Sequence, residues 1–349
     1  MITDKAAAAP LAVTMGEPAG IGMDVAIDAW RKRDGLPPFY LIAPPSAVLA
    51  RSALLGYGIR TQSIADPAEV PAIFEKALPI LPIEAAIEVS AGEPRAASTG
   101  TVMESIERAV TDALSGAASG IVTTPINKKV LQESGFLYPG HTEYLAALCR
   151  NRKAPAFKGP VMMLAAGDLR VVPLTIHIPL KDVPAALSSQ MIVDKALVTV
   201  EALRRDFGIA QPRLAVAALN PHAGEGGQMG LEEQSLIIPA ITRLRNLGLE
   251  VHGPFPADTM FHEAARATYD AALCMYHDQA LIPLKTLDFW RGVNVTLGLP
   301  VIRTSPDHGT AFSLAGTGKA NPDSMLAAIR MAADIARNRA SSRATAGAP

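Results

Sequence analysis

Short apolar runs, almost free of charge, recur along this chain, and most are followed at once by a segment with helical spacing. PLAVTMG precedes GMDVAIDAWRKR, FYLIAP precedes SAVLARSALLG, and ASGIVTTPI precedes NKKVLQESG. LRVVPLTIHIPL leads into AALSSQMIVDKALVTVEALRRDFG, and RLAVAALNPH and YDAALCMYHDQ repeat the plan. A strand buried on both faces reads as a continuous apolar run, and parallel strands need a crossover helix between them. The pattern therefore predicts an α/β protein with a mostly parallel sheet and helices on both faces. At 349 residues, 49% of them hydrophobic, the chain can fill two such α/β/α lobes. No Ser/Gly linker divides it. Breaks are expected near Thr124–Pro125 and Leu299–Pro300, giving a discontinuous first lobe of residues 1–124 plus 300–349 and a second of 125–299. The Ala/Ser/Arg-rich end beyond about Ile335 reads as frayed.

A net charge of −1 and the lack of any Lys/Arg-rich run argue against a nucleic-acid partner. Any anionic ligand must then be held by a few local cations. Cys149 and Cys274 are the only cysteines, which fits a reducing compartment without a disulfide framework. Cys274 lies three residues before His277, but inside the apolar run AALCMY, where a buried thiol is the better expectation than a metal ligand. The opening MITDKAAAAPLAVTM carries one lysine beside an aspartate and runs into Gly-Glu-Pro, a poor secretory signal and a good first strand. The apolar region from Val161 to Leu180 is broken by Asp168 and Arg170, so it is not a membrane span. A soluble cytoplasmic protein is expected.

Three histidines share one placement. His177 follows VVPLTI, His222 follows LAVAALNP, and His277 follows AALCMY, each just past the carboxyl end of a predicted strand. In open α/β sheets that edge is where ligands bind. Three neutral imidazoles suit a divalent transition metal and leave positions open for substrate. Each could equally be a hydrogen-bonded loop residue, and no HxxxH or HExxH spacing decides the matter. Around His222, in LNPHAGEGGQMGLEE, the proline stiffens the strand exit and the glycines let backbone approach a ligand.

Lys285, Arg291 and Arg303 are cations in an apolar, loop-rich stretch that also holds Asn294, the mixture a phosphate or carboxylate clamp needs. Solvated loop charge is the competing reading, strongest for Arg291. GHTEYLAAL sets His141 and Thr142 at the start of a helical run, where Thr142 is either a simple cap or part of an anion site. GEPAGIG does not fit GxGxxG, because Val25 and Ala26 stand where a third glycine is needed, and it reads as a strand-to-helix turn.

Taken together, VTMGEPAGIG, GHTEYLA, LNPHAGEGGQMGLEE, MYHDQALIPLK and RGVNVTLGLPVIRTSPDHGTAFSLAGTGKANP resemble the 4-hydroxythreonine-4-phosphate dehydrogenase (PdxA) family, from about Leu11 to about Ile335. The resemblance implies a fold similar to isocitrate and isopropylmalate dehydrogenases, which bind NAD without a glycine fingerprint. It makes the first lobe the cofactor side, with the active-site cleft between the lobes at the interface of a homodimer. It also implies a divalent cation (Zn, Mg or Co) on His177, His222 and His277, the last from the partner subunit. Substrate would be held by His141, Thr142, Lys285, Asn294 and Arg303, and NAD or NADP would meet the loop headed by His308 and Gly309. The implied reaction oxidises 4-phosphooxy-L-threonine at C3, then decarboxylates it to 3-amino-2-oxopropyl phosphate, in vitamin B6 synthesis. Asp258, in FPADTMF, is the candidate base or second-layer residue. Ala280 stands where the family often has glycine, a departure that touches no ligand. Another phosphorylated hydroxy acid such as phospho-threonate, or a cyclic diol, stays open as substrate. A metal-dependent hydrolase of phosphometabolites and a non-catalytic phospho-ligand binder are the readings from other classes.

Overall fold

A computed structural model describes residues 9–85, 90–151 and 159–346. The alanine-rich residues 1–8 lie outside it, so the first-strand reading is met only from Leu11 onward. The chain divides into two compact units, residues Met1–Pro160 with Leu299–Arg337, and Val161–Gly298 with Asn338–Pro349.

The first unit opens with β1 (Leu11–Thr14), α1 (Gly22–Arg31), β2 (Phe39–Ala43) and α2 (Pro45–Leu54). Then come β3 (Thr61–Ser63), β4 (Leu78–Pro82), α3 (Thr99–Ser115), β5 (Gly120–Val122), α4 (Lys128–Glu133) and α5 (His141–Asn151). The second unit holds β6 (Val161–Ala166), β7 (Leu169–Pro173), α6 (Ser189–Arg205), β8 (Arg213–Ala217), α7 (Ile238–Asn246) and β9 (Glu250–Phe255). It ends with β10 (Ala271–Cys274), α8 (His277–Leu287) and β11 (Val293–Leu297). β12 (Arg303–Pro306) belongs to the first unit, and α9 (Asp323–Ala346) closes the chain.

In the first unit the strand order is β3-β4-β2-β1-β5-β12, with every neighbouring pair parallel. Every residue of β1 and β2 is buried, as apolar runs without alternation require. GEPAGIG is the turn from β1 to α1. Gly16 has φ +63°, and a Cβ there would sit 2.2 Å from Thr124 Oγ1, so the glycine is fixed by close passage against β5's exit. Arg51 of α2, 2% exposed, pairs with Asp24 of α1 and donates to the carbonyls of Pro18 and Gly20 at 2.7 and 2.8 Å. Asp24 in turn accepts from Gly316 N at 2.7 Å, and Ile21 N donates to Thr310 O at 2.9 Å, so this turn and the loop after β12 are tied together.

In the second unit the order is β11-β6-β7-β10-β8-β9. β11 and β7 run antiparallel to β6, and the β7-β10-β8-β9 side is parallel. The apolar stretch from Val161 is thus a hairpin, β6 to β7, turning at Gly167–Asp168. Leu164, Val171, Ala215, Ala272, Leu281 and Leu284 meet in this unit's core, where each large aliphatic contributes roughly 1.5–3 kcal/mol by leaving water. Among the described residues, no helix is long and apolar enough to cross a membrane.

The frayed end expected beyond Ile335 is corrected by α9, which stays helical to Ala346. Burial alone would raise the pKa of Asp206, but hydrogen bonds from Arg205 and from Arg339 of α9 hold its carboxyl below the usual range. Composition alone hides that anchor.

Candidate active site

His177, His222 and His277 lie three to five residues beyond the carboxyl ends of β7, β8 and β10. Those strands are consecutive neighbours in the order β7-β10-β8, all parallel, so the three exits leave one edge side by side. Pairing continues past the strands: Leu174 N and Thr175 N donate to the carbonyls of Cys274 and Met275. Two buried side chains lace the exits together. Thr175 Oγ1 donates to Met275 O at 2.8 Å. Gln279 accepts from Met275 N at 2.6 Å and donates to Ala218 O at 2.7 Å. The His177 and His277 rings consequently stand 5.8 Å apart, centroid to centroid. His277 opens α8, and its Nδ1 lies 2.6 Å from a carboxylate oxygen of Asp278, a contact that fixes which ring nitrogen faces outward. Among the described residues of this chain, no group of three or more His, Cys, Asp or Glu is arranged to hold a metal ion. Cys274 is buried in β10, as its apolar run suggested, and burial pushes its thiol pKa up.

The backbone at two of these histidines is left-handed. His177 has φ 51°, and from His222 through Ala223, Gly224 and Glu225 to Gly226 five consecutive φ values lie between 42° and 78°. Left-handed backbone costs an L-residue about 1–2 kcal/mol, and here His222, Ala223 and Glu225 all bear it. Strain of this kind persists where surroundings over-determine it, and it clusters at functional sites. The clamp is Glu233, 2% exposed, whose carboxylate accepts from Leu219 N and Asn220 N at 2.8 Å each and from Asn220 Nδ2 at 3.0 Å. A Cβ on Gly224 would lie 2.6 Å from Glu233 Oε2, so the turn and its clamp fit only with glycine there. His222 itself is left exposed.

Lys285 and Asn294 belong to the same unit. Lys285 sits two turns along α8 from His277, half-buried, its Nζ 5.3 Å from the centre of the Phe289 ring. Asn294 lies on β11, paired with Leu164 of β6. Asp258 is exposed in the turn after β9.

The first unit carries the other expected residues. Arg303 begins β12 and is 4% exposed. Its Nε and Nη2 donate to Thr123 Oγ1 at 3.0 and 2.7 Å. Burial lowers the guanidinium pKa to about 10, opposed by the nearby Glu143 carboxylate, so it stays a cation at neutral pH. His141 and Thr142 are the first two residues of α5, where free N–H groups and the helix dipole favour an anion. The Nε2 atom of His141 is buried and has no hydrogen-bond partner. Burial, then Arg303, then Lys128, hold its pKa well below the ordinary value, so the ring is neutral and can offer Nε2–H or an Nε2 lone pair. His308 and Gly309 head the loop after β12; His308 Nδ1 lies 3.1 Å from Gly309 O, and Gly309 is exposed. Arg291 is exposed and paired with Asp288 at 2.7 Å, which bears out the solvated-charge reading for it.

Sequence reasoning missed Thr123, Thr175, Glu233 and Gln279, the residues that position the rest. Only Glu233 lay inside a stretch already singled out by its glycines.

The description "Pyridoxal phosphate biosynthetic protein PdxA" belongs to a family model that matches residues 38–332. The chain is 54% identical, over 95% of its length and 98% of the relative's, to 4-hydroxythreonine-4-phosphate dehydrogenase of Caulobacter vibrioides. Among solved structures it resembles 4-hydroxythreonine-4-phosphate dehydrogenase from Klebsiella pneumoniae, with TM-score 0.84, 39% identity, and 94% and 99% of the two chains covered. A terephthalate 1,2-cis-dihydrodiol dehydrogenase from Burkholderia xenovorans is also similar, with TM-score 0.62, 27% identity, and 93% and 97% covered.

Proposed function

The chain belongs to the PdxA family of pyridoxal phosphate biosynthetic proteins, and on that premise we propose that it is a 4-hydroxythreonine-4-phosphate dehydrogenase. It oxidises the C3 hydroxyl of 4-phosphooxy-L-threonine with NAD or NADP, and the resulting β-keto acid loses its carboxylate to leave 3-amino-2-oxopropyl phosphate. The observation that carries this reading is the buried Arg303 guanidinium in the unit that also holds the unsatisfied Nε2 of His141. A buried polar atom without a partner is costly to leave so, and an anion bound near the Arg303 guanidinium would satisfy it. Phosphate and carboxylate are the anions of this substrate.

Arg303, His141 and Thr142, with Lys285 and Asn294, grip the two ends of the substrate. Binding energy from the non-reacting ends then orients C3. Asp258 is the candidate acceptor for the proton of the C3 hydroxyl. The loop headed by His308 and Gly309 would hold the nicotinamide cofactor, which would accept the hydride. The donor set at the three strand exits fits a divalent cation: His177, His222 and His277 would hold it, and it would supply Lewis-acid stabilisation of negative charge on the substrate oxygen. As the family resemblance implies, the reading includes a homodimer in which the partner's His277 completes the set. The active-site cleft then lies at the dimer interface, in a protein of the cytoplasm.

A cyclic diol is the second reading, because the terephthalate dihydrodiol dehydrogenase shares 27% identity with the chain. A substrate panel separates the two. Metal-stripped protein is given 4-hydroxythreonine 4-phosphate, phospho-threonate or a cyclic dihydrodiol, with NAD or NADP, and with Zn, Mg or Co restored, while reduced nicotinamide is followed by absorbance. Reduction with 4-hydroxythreonine 4-phosphate, dependent on the metal, is expected. Reduction with the unphosphorylated diol alone, or phosphate release without nicotinamide, would overturn the reading.

A further inference from the structure

We propose that Thr123 is a positioning residue for substrate binding: its hydroxyl sets the angle at which Arg303 meets the anionic end of the substrate. The inference rests on the dehydrogenase reading above. Thr123 follows β5 directly and is fully buried. Its backbone N donates to Thr304 O at 3.0 Å, which locks its residue in register beside β12. Its Oγ1 accepts from both Nε and Nη2 of Arg303. Those two donors form the side edge of the guanidinium, an edge able to chelate a carboxylate or phosphate. Held along that edge by Thr123, the guanidinium is restricted in rotation about its last side-chain bond, so it meets a substrate anion at a set angle. A hydroxyl has two lone pairs and one proton. Both lone pairs are used by Arg303, so the Thr123 proton is the remaining direction in which this residue can itself donate to the same anion. Among buried threonines nearby, Thr304 offers a contrast: its hydroxyl donates to Ala328 O of α9 at 2.9 Å.

The test compares Thr123→Val, which keeps the shape and removes the acceptor, with Thr123→Ser, which keeps it. Thr304→Val serves as the control for losing a buried hydroxyl. Wild-type turnover of 4-hydroxythreonine 4-phosphate with NAD is measured first; its absence would sink the dehydrogenase reading, whatever the variants do. Given that turnover, Thr123→Val should raise KM for the phosphorylated substrate at least tenfold while KM for NAD changes less than twofold. Calorimetric binding of that substrate without NAD should weaken in parallel. Thr123→Ser should return both values to within threefold of wild type, and Thr304→Val should leave them there. The inference is overturned if Thr123→Val leaves substrate KM within twofold, if both KM values rise together, if Thr123→Ser is as impaired as Thr123→Val, or if Thr304→Val matches it. Should Thr123→Val not be recovered folded, Thr123→Cys carries the same comparison, because a thiol of similar size accepts only weakly.

Discussion

Arg303 in the first unit is 4% exposed and its side chain is fixed by a hydroxyl, whereas His222 in the second unit is exposed and it is its backbone that the fold constrains. A guanidinium removed from water attracts an anion strongly, but it must be kept from swinging away. An imidazole needs access to an ion and a defined direction, which a rigid backbone supplies without burying the ring. The first unit accordingly invests in buried side-chain contacts, and the second in left-handed turns, strand-exit lacing and the Glu233 clamp.

Removing an imidazole is the largest way to break this contrast. His222→Ala should lower turnover by more than about a hundredfold, beyond what loss of an outer-layer ligand partner usually does. Metal retention, read by elemental analysis after dialysis, should fall with it, while the melting temperature of the stripped protein stays put because the side chain is exposed. A variant that keeps its metal would remove the histidine edge from the reaction. Arg303→Ala comes next. Losing a charge-assisted contact of about 2–3 kcal/mol predicts a fall in kcat/KM of roughly 30- to 150-fold, carried by substrate and not by NAD.

Gly224→Ala sharpens the comparison from the backbone side. It puts a side chain at φ +78° against Glu233, so denaturant unfolding should show a loss of roughly 1–3 kcal/mol. Metal retention should weaken before phosphate-substrate binding does. Unchanged stability would mean that the turn is not held as tightly as its geometry indicates.

The smallest effect is on pH dependence. The folded chain holds His141 well below its unfolded pKa, so at mildly acidic pH the unfolded chain takes up a proton that the folded one refuses. Stability therefore falls as pH drops through about 6.5, by up to about 1.4 kcal/mol per pH unit for that one group. His141→Asn should flatten the slope between pH 7 and 5. An identical slope would show that the ring is protonated in the folded state.

Much of the fold was legible because buried parallel strands carry nearly uniform apolar sequence, as LAVT and FYLIA do. β12 was not, since RTSP reads as a polar turn. Its Arg303 and Thr304 are buried because they make hydrogen bonds within the sheet's layers, and local sequence fails to announce a strand where polar residues stand in place of aliphatic ones. β3, only Thr-Gln-Ser at the sheet edge, lacks enough buried face to print a pattern. Of the candidate site, the histidines showed themselves by following apolar runs. Thr123 did not, because a threonine ending IVTTP looks the same whether its hydroxyl faces an arginine or a backbone carbonyl.

The five-residue turn from His222 to Gly226 is wound in the sense that suits mirror-image amino acids. In a semisynthetic chain, D-alanine at position 223 would favour that winding, where its natural enantiomer is forced into it. A stereochemical inversion of one atom there should stiffen the protein, which is the reverse of what the same inversion does almost anywhere else along a polypeptide.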